Sequence, residues 1–184
     1  MLAGPTAVGK GTVAAYVRRH HPEVWLSVSA TTRPPRPGEV DGVHYHFVTD
    51  ADFERMREQG DLLEWALVHG RAKYGTPRVP VQRVLDERRP ALLEIDLQGA
   101  RQVRDAMPEA LFVFLAPPSW DDLVDRLVGR GTETADERAV RLQTARTELA
   151  AASEFDVTIV NDDVRRAADE RVSLMRTPTP TKRD

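Results

Sequence analysis

Short apolar runs alternate with longer amphipathic stretches along the chain, and the two rhythms predict different elements. Ala91–Ile95 and Leu111–Leu115 are too short for helices and rich in branched and aromatic residues, the pattern of strands buried on both faces of a parallel sheet. A helical stretch from about Gly99 to Ala106 separates them. Ser119 stands where an N-cap belongs, ahead of a helix over Trp120–Val128. Beyond it the pattern predicts a long charged helix over Ala135–Ala152, a short strand at Val157–Val160 and a last helix over Val164–Met175. Near the start, Gly9–His20 reads as a glycine turn running into a helix, and Leu26–Ser29 as a short strand.

The middle of the chain has a different texture. Thr31–Gly42 is rich in Pro, Arg and Gly and predicts loop. Tyr45–Val48 and Leu62–Val68 predict strands, Asp50–Gln59 a helix with Asp50 as its N-cap, and Val79–Arg88 another helix. Strand–helix–strand alternation on both sides of this stretch predicts a single α/β domain with a parallel sheet, its core formed by residues of about 1–28 and 80–176. The hairpin-like stretch 29–79 is then an insertion, and the tail 177–184, reading TPTPTKRD, predicts disorder.

Composition narrows the classes. A chain of 184 residues is long enough to bury a core without disulfides or a metal. The absence of cysteine excludes disulfides, cysteine-based zinc sites and a cysteine nucleophile, and fits a reducing cytoplasm. A net charge of −3 gives no footprint for nucleic acid or an anionic membrane, and the longest apolar run, Ala110–Ala116, is far too short to span a bilayer. Either a monomer or a homo-oligomer fits this picture.

The first chemistry-bearing motif is Gly4-Pro-Thr-Ala-Val-Gly9-Lys10-Gly11-Thr12, with the spacing of a phosphate-binding loop. Glycines let the backbone wrap a phosphate with its N–H groups inward, and the following helix brings its positive end to the same place. Lys10 is the residue that reaches the β- and γ-phosphates of a bound nucleotide. The full pattern calls for Ser or Thr directly after the lysine as a Mg²⁺ ligand; here Gly11 stands there and Thr12 follows. Only Met1-Leu2-Ala3 precede the loop, so either the first strand is very short or the natural start lies upstream.

The second motif is the arginine-rich loop. Arg33 and Arg36 are held three residues apart among prolines and glycines, a preorganised clamp whose guanidinium forks bind phosphate oxygens bidentately. Read alone, the same arginines suit an ordinary solvated loop equally well. They do not stand alone. The glycine loop, SVSxTTRxPRxGExxGxxYxF, LLEW, YGT, ALLEIDLQG, FLAPPS, GRGTET and VNDD follow one another in one order from Gly4 to about Asp163, and together they resemble the guanylate kinase family.

The resemblance implies a P-loop nucleotide-kinase fold: a three-layer α/β core with a parallel sheet, a GMP-binding insertion and a helical lid at about 129–141. It implies transfer of the γ-phosphoryl group of ATP to GMP, and by extension dGMP, with Mg²⁺. Arg33, Arg36, Tyr45 and Tyr74 match the residues that hold the GMP phosphate. Ser29, Glu64 and Glu94 match the guanine readers, with Thr76 assisting; the family often has Asp at the position of Glu94. A carboxylate can accept both N1–H and the exocyclic amine of guanine, a donor pair adenine lacks. On the ATP side stand Gly4, Gly9, Lys10, Gly11 and Thr12, with Asn161 near adenine. Asp96 and Thr12 match holders of the hydrated Mg²⁺, and Arg126, Arg130 and Arg141 the arginines that close over the transferred group.

Two rival readings carry different expectations. A non-catalytic guanylate-kinase-like module that binds a phosphorylated peptide would have a degraded glycine loop, whereas Lys10 and the lid arginines are present here. A kinase for another monophosphate would not need Glu64 beside Ser29. His44 and His46 flank Tyr45 and read as solvent-facing, since no third metal ligand stands nearby.

Overall fold

The structure, a computed structural model, describes residues 1–68, 70–128 and 135–176, without the side chains of 135–137. Five short strands build a parallel central sheet. Strand β1 (Leu2–Ala3) pairs with β8 (Val113–Ala116), and β8 with β9 (Val157–Val160). On the other side, Leu2 N–H donates to Leu93 O and Ile95 N–H to Leu2 O, which joins β1 to the end of β7 (Ala91–Leu92); β7 in turn pairs with β2 (Trp25–Leu26). The resulting order is β2-β7-β1-β8-β9, with β1 at the centre.

Alternation along these strands creates three layers. Leu2, Leu92, Val113, Leu115 and Ile159 turn to one face, where they meet Val13 and Val17 of α1 (Lys10–His20), Leu123 of α5 (Trp120–Val128), Ala145 of α6 (Ala135–Ala150) and Ala167 and Val172 of α7 (Val164–Arg176). Met1, Ala3, Leu93, Ile95 and Phe112 turn to the other, against Val81 of α3 (Arg78–Asp86) and Ala100 and Val103 of α4 (Leu97–Ala106).

The predicted insertion forms a second sheet, in order β4-β3-β6-β5. Strand β5 (Leu62–Val68) and β6 (Ala72–Pro77) make an antiparallel pair; β3 (Ala30–Thr31) lies antiparallel to β6 and parallel to β4 (His46–Phe47). Its small core of Ala30, Phe53 and Leu62 is closed by α2 (Asp50–Glu58). The free edge of β5 is covered by one side chain of the central domain: Gln102 on α4 donates to Trp65 O at 2.6 Å and accepts from Trp65 N–H at 3.1 Å.

Several local expectations shift. Thr49, not Asp50, caps α2, because its hydroxyl accepts from Asp52 N–H at 3.1 Å. Asp96 starts α4 two residues earlier than the apolar spacing suggested, by accepting from Gly99 N–H at 2.7 Å. The strand expected at Leu26–Ser29 ends at Leu26, and the chain crosses at Ser27–Ser29 to the second sheet, so that Thr31, expected in loop, belongs to β3. Residues 129–134 of the expected lid and the whole of the tail 177–184 lie outside the described residues.

One buried group stands out energetically. Arg171 on α7 is 2 % exposed, and among the described residues its Nε and Nη1 have no hydrogen-bond partner. Burial pushes its guanidinium down to about 10. A buried guanidinium with two of its nitrogens unpaired contributes little stability relative to an apolar side chain of similar size. Arg171→Leu is therefore expected to leave urea unfolding unchanged or raise stability by about 1–3 kcal/mol; a loss of that size would mean that the guanidinium has a strong partner in solution.

Candidate active site

The glycine loop leaves β1 at Gly4 and enters α1 at Lys10, and its geometry demands its glycines. Gly4 has φ +153°, and a Cβ there would lie 2.3 Å from Leu115 O, so the loop can start only where β8 leaves no room for a side chain. Gly9 has φ +98°, and a Cβ there would lie 2.7 Å from Asn161 Nδ2. The back of the loop is braced at one atom, the carbonyl of Val8. It accepts from Asn161 Nδ2 at 2.8 Å and from Arg126 Nη1 at 3.1 Å, while Arg126 Nη2 donates to Asn161 O at 3.1 Å. The Lys10 amine donates to Gly4 O at 2.7 Å and Pro5 O at 3.2 Å, folded over its own loop.

In front of the loop lies a cleft of about 480 Å³ between the two sheets. Thr6, Lys10, Glu94 and Asp96 line the central-sheet side, with Thr144, Thr147 and Glu148 from α6; Ser29, Tyr45, Glu64 and Tyr74 line the side of the second sheet. The cleft thus gathers seven residues expected to act: Lys10, Ser29, Tyr45, Glu64, Tyr74, Glu94 and Asp96. Thr76 stands directly behind Glu64, donating its hydroxyl to Glu64 Oε1 at 2.5 Å.

Four carboxylates face this space. Burial pushes Glu64 up to about 7; the Thr76 hydrogen bond works against that shift and the nearby charge of Asp96 adds to it. The N-terminal turn of α4 is pressed against the same carboxylate, for a Cβ on Gly99 would lie 2.4 Å from Glu64 Oε2. Burial raises Glu94 as well, opposed by the positive charges of Lys10 and Arg18. Burial is also the main cause that raises Glu148, opposed by Lys10.

The arginine loop is ordered by its own acid. Arg33 donates from Nη1 and Nη2 to the two oxygens of Glu39 at 2.6 and 2.7 Å, and from Nε to the Tyr74 hydroxyl at 3.0 Å. Its guanidinium carbon lies 4.8 Å from the centre of the Tyr45 ring, and the Tyr45 and Tyr74 rings meet edge to face. Glu39 also accepts from Arg36 N–H at 2.8 Å, and Arg33 holds its carboxyl down at about 2. The Arg36 side chain is exposed, and neither it nor Arg33 lines the cleft.

Other expected residues stand elsewhere. Thr12 is on the exposed side of α1 and Gly11 beside it, where a Cβ would lie 3.8 Å from Glu94 Oε1; neither lines the cleft. Asn161 and Arg126 lie behind the loop rather than in front of it. Arg141 is on α6, and Arg130 lies outside the described residues. The sequence reading missed Arg18, Glu39, His44 and Glu148. Arg18 had a signal: with Lys10 and Ala14 it completes a four-residue spacing on one face of α1, and all three line the cleft. His44, read as solvent-facing, is exposed and also lines the open cleft, and its Nδ1 accepts from Val40 N–H at 3.0 Å. Glu148 had no signal, since its partner is set by a tertiary contact; Glu39 is part of the PRxGE motif, six residues from Arg33, but the motif does not name its partner.

Known proteins match the chain over nearly its whole length. The family model described as guanylate kinase covers residues 1–177. The guanylate kinase of Leifsonia xyli subsp. xyli is 63% identical over 99% of this chain and 72% of its own length; that of Thermobifida fusca is 59% identical over 97% and 91%. The crystal structure of guanylate kinase from Anaplasma phagocytophilum superposes with a TM-score of 0.77 at 31% identity, over 98% of this chain and 85% of that one. Likeness in sequence and fold joins the phosphate loop and the carboxylate-lined cleft to one conclusion, that the chain belongs to the guanylate kinase family.

Proposed function

We propose that this ATP:GMP phosphotransferase divides its work between the two walls of the cleft. The observation that carries the reading is the meeting, in one space, of Lys10 from the glycine loop with Ser29, Tyr45, Glu64 and Tyr74 from the second sheet. The loop amides and Lys10 take the ATP phosphates, Lys10 exchanging the carbonyls of Gly4 and Pro5 for phosphate oxygens. Arg36, Tyr45 and Tyr74 hold the acceptor phosphate, and Arg33 orients the two tyrosines from its fixed place against Glu39. Ser29, Glu64 and Glu94 read guanine, with Thr76 fixing the Glu64 carboxylate.

Phosphoryl transfer passes through a loose transition state, so alignment, charge neutralisation and exclusion of water make up most of the catalysis. The GMP phosphate is itself the nucleophile, and no protein base is required. Arg126 acts through the loop, as the brace on Val8 O, and is a positioning residue; the same holds for Asn161. Arg141 stands three residues before Thr144 and seven before Glu148 on α6 but does not itself line the cleft, and its role over the transferred group, like that of Arg130, rests on family resemblance. Closure of the second sheet toward the loop excludes water.

The donor set fits Mg²⁺. Asp96 is a hard oxygen donor lining the same cleft as Lys10, and no group of three or more His, Asp or Glu among the described residues forms a cage. That suits an ion held largely by water and phosphate oxygens, with Asp96 ordering its shell. When bound, Mg²⁺ neutralises charge on the phosphates.

The reading is tested by steady-state ADP production with GMP, AMP, CMP and UMP as acceptors. Turnover confined to GMP is expected; equal rates with AMP would refute the guanine reader. Lys10→Ala is expected to lower kcat by about 10²-fold or more with the fold intact by circular dichroism; near-normal turnover would move the site elsewhere. Arg36→Ala should raise KM for GMP by about tenfold or more while leaving ATP nearly unchanged. Equal effects on both substrates would count against the clamp.

Glu64 gives a pH signature. With its carboxyl near 7 in the free protein, it is partly protonated at pH 6.5 and must be ionised to accept from guanine. GMP binding should therefore release protons between about pH 6 and 7.5, and affinity should rise through that window and then level off. Calorimetry in buffers of different ionisation enthalpy measures this release. The phosphate of GMP titrates near 6, so Glu64→Gln is the control: a release near 7 that survives the substitution would assign it to another group.

A further inference from the structure

Glu148 projects from α6 into the phosphate end of the cleft, and its carboxylate accepts a hydrogen bond from the backbone N–H of Thr6 at 2.9 Å. Thr6 lies in the glycine loop, and its side of the cleft is also lined by Lys10. The protein's own anion is thus seated on an amide of the loop built to bind anions. Glu148 is partly buried, and it is held there against the cost of burial by the Thr6 amide and the positive charge of Lys10, while the charge of Asp96 opposes it. Nothing in the proposed chemistry uses this carboxylate. Burial of an acid that performs no step, on a donor that a substrate needs, calls for its own explanation.

We propose that Glu148 is a positioning residue that holds the place of an ATP phosphate oxygen on the Thr6 amide and ties α6 to the glycine loop until the nucleotide arrives. The inference rests on the glycine loop being the triphosphate site. A hydrogen-bond donor this short of free capacity serves one anion at a time, and two anions at one amide repel each other at close range. The incoming phosphate therefore displaces Glu148, and Lys10, now folded on Gly4 O and Pro5 O, turns to the same phosphate. Ala145 keeps α6 in the central core throughout, so the contact that the nucleotide breaks is local to the Glu148 turn of the helix.

A place-holder and a purely structural tie differ in sign. If the carboxylate competes with phosphate, removing its charge strengthens phosphate binding. If it only holds the loop in shape, removing it weakens binding or leaves it unchanged. The experiment is calorimetric titration of full-length wild type, E148Q and E148A with ADP and with inorganic tripolyphosphate, and with GMP as the reference ligand. E148Q keeps an acceptor of the same shape without the charge, and is expected to bind both probes about tenfold more tightly with GMP affinity unchanged. E148A should show the same direction. The Thr6 amide proton resonance reports the contact itself: it should move in E148Q, and should move in wild type when ADP is added. A folded E148Q that binds ADP no more tightly than wild type, or a Thr6 resonance indifferent to the substitution, overturns the inference while leaving the site intact. A wild type that binds neither ADP nor tripolyphosphate sinks the triphosphate site, and this inference with it.

Discussion

The carbonyl of Val8 is the fixed point around which the site is arranged. Two donors from distant parts of the chain converge on it, Asn161 at the end of β9 and Arg126 on α5. Buried carbonyls need partners, and these donors satisfy Val8 from behind, so that the front of the loop keeps its amides for the cleft. Gly4 and Gly9 make the arrangement possible, because side chains there would collide with Leu115 O and Asn161. The edges of the central sheet thus decide the shape of the loop at its middle, and Lys10 at the start of α1 takes its direction from that shape.

The cleft is unusual in its charge. A site for two anionic nucleotides exposes Glu64, Glu94, Asp96 and Glu148 to the same space. Each has a separate means of coexistence. Glu64 is raised by burial and steadied by Thr76, Glu94 lies between Lys10 and Arg18, Asp96 caps α4 and Glu148 sits on the Thr6 amide. In the proposed reading Glu64 and Glu94 meet the base through its N–H donors and Asp96 calls for a cation beside the phosphates, whereas the phosphates themselves are met by amides, Lys10 and the arginines. Segregation of these two kinds of contact along one cleft lets a largely acidic space accept anions.

The second sheet has a minor core of its own and also joins the central one, where Leu63 of β5 is buried with Ala3, Val81, Leu93 and Ala100. Its own core of Ala30, Phe53 and Leu62 is small, and Gln102 seals the edge of β5 by bonding both polar groups of Trp65. The sheet is therefore anchored at three places, the crossing at Ser27–Ser29, the packing of β5 on α4 and the passage of β6 into α3, so that the closure proposed above would have to bend the chain at those joints.

Much of this was legible in the sequence. The apolar runs of β7, β8 and β9 gave away a buried parallel sheet, and the glycine–lysine spacing with its following helix placed the phosphate loop, because both signals are local: strand periodicity and backbone sterics act over a few residues. The order of short motifs identified the family and brought Ser29, Tyr45, Glu64, Tyr74 and Glu94 to one cleft. Other features were written between distant residues. The N-cap of α2 fell on Thr49 and not Asp50, since the choice between neighbouring caps depends on local backbone angles. Arg126 on Val8 and Glu148 on Thr6 leave no periodic or motif signal, because a hydrogen bond between residues far apart in sequence is set only when the layers pack; Glu39 and Asn161 stand in quoted motifs, but the motifs do not show their partners. The sequence by itself determined the fold class, the loop and the kind of substrate, through patterns that need only neighbouring residues. Tertiary structure alone decided which charges meet, because electrostatic contact depends on distance in space and the chain fixes that distance only by folding.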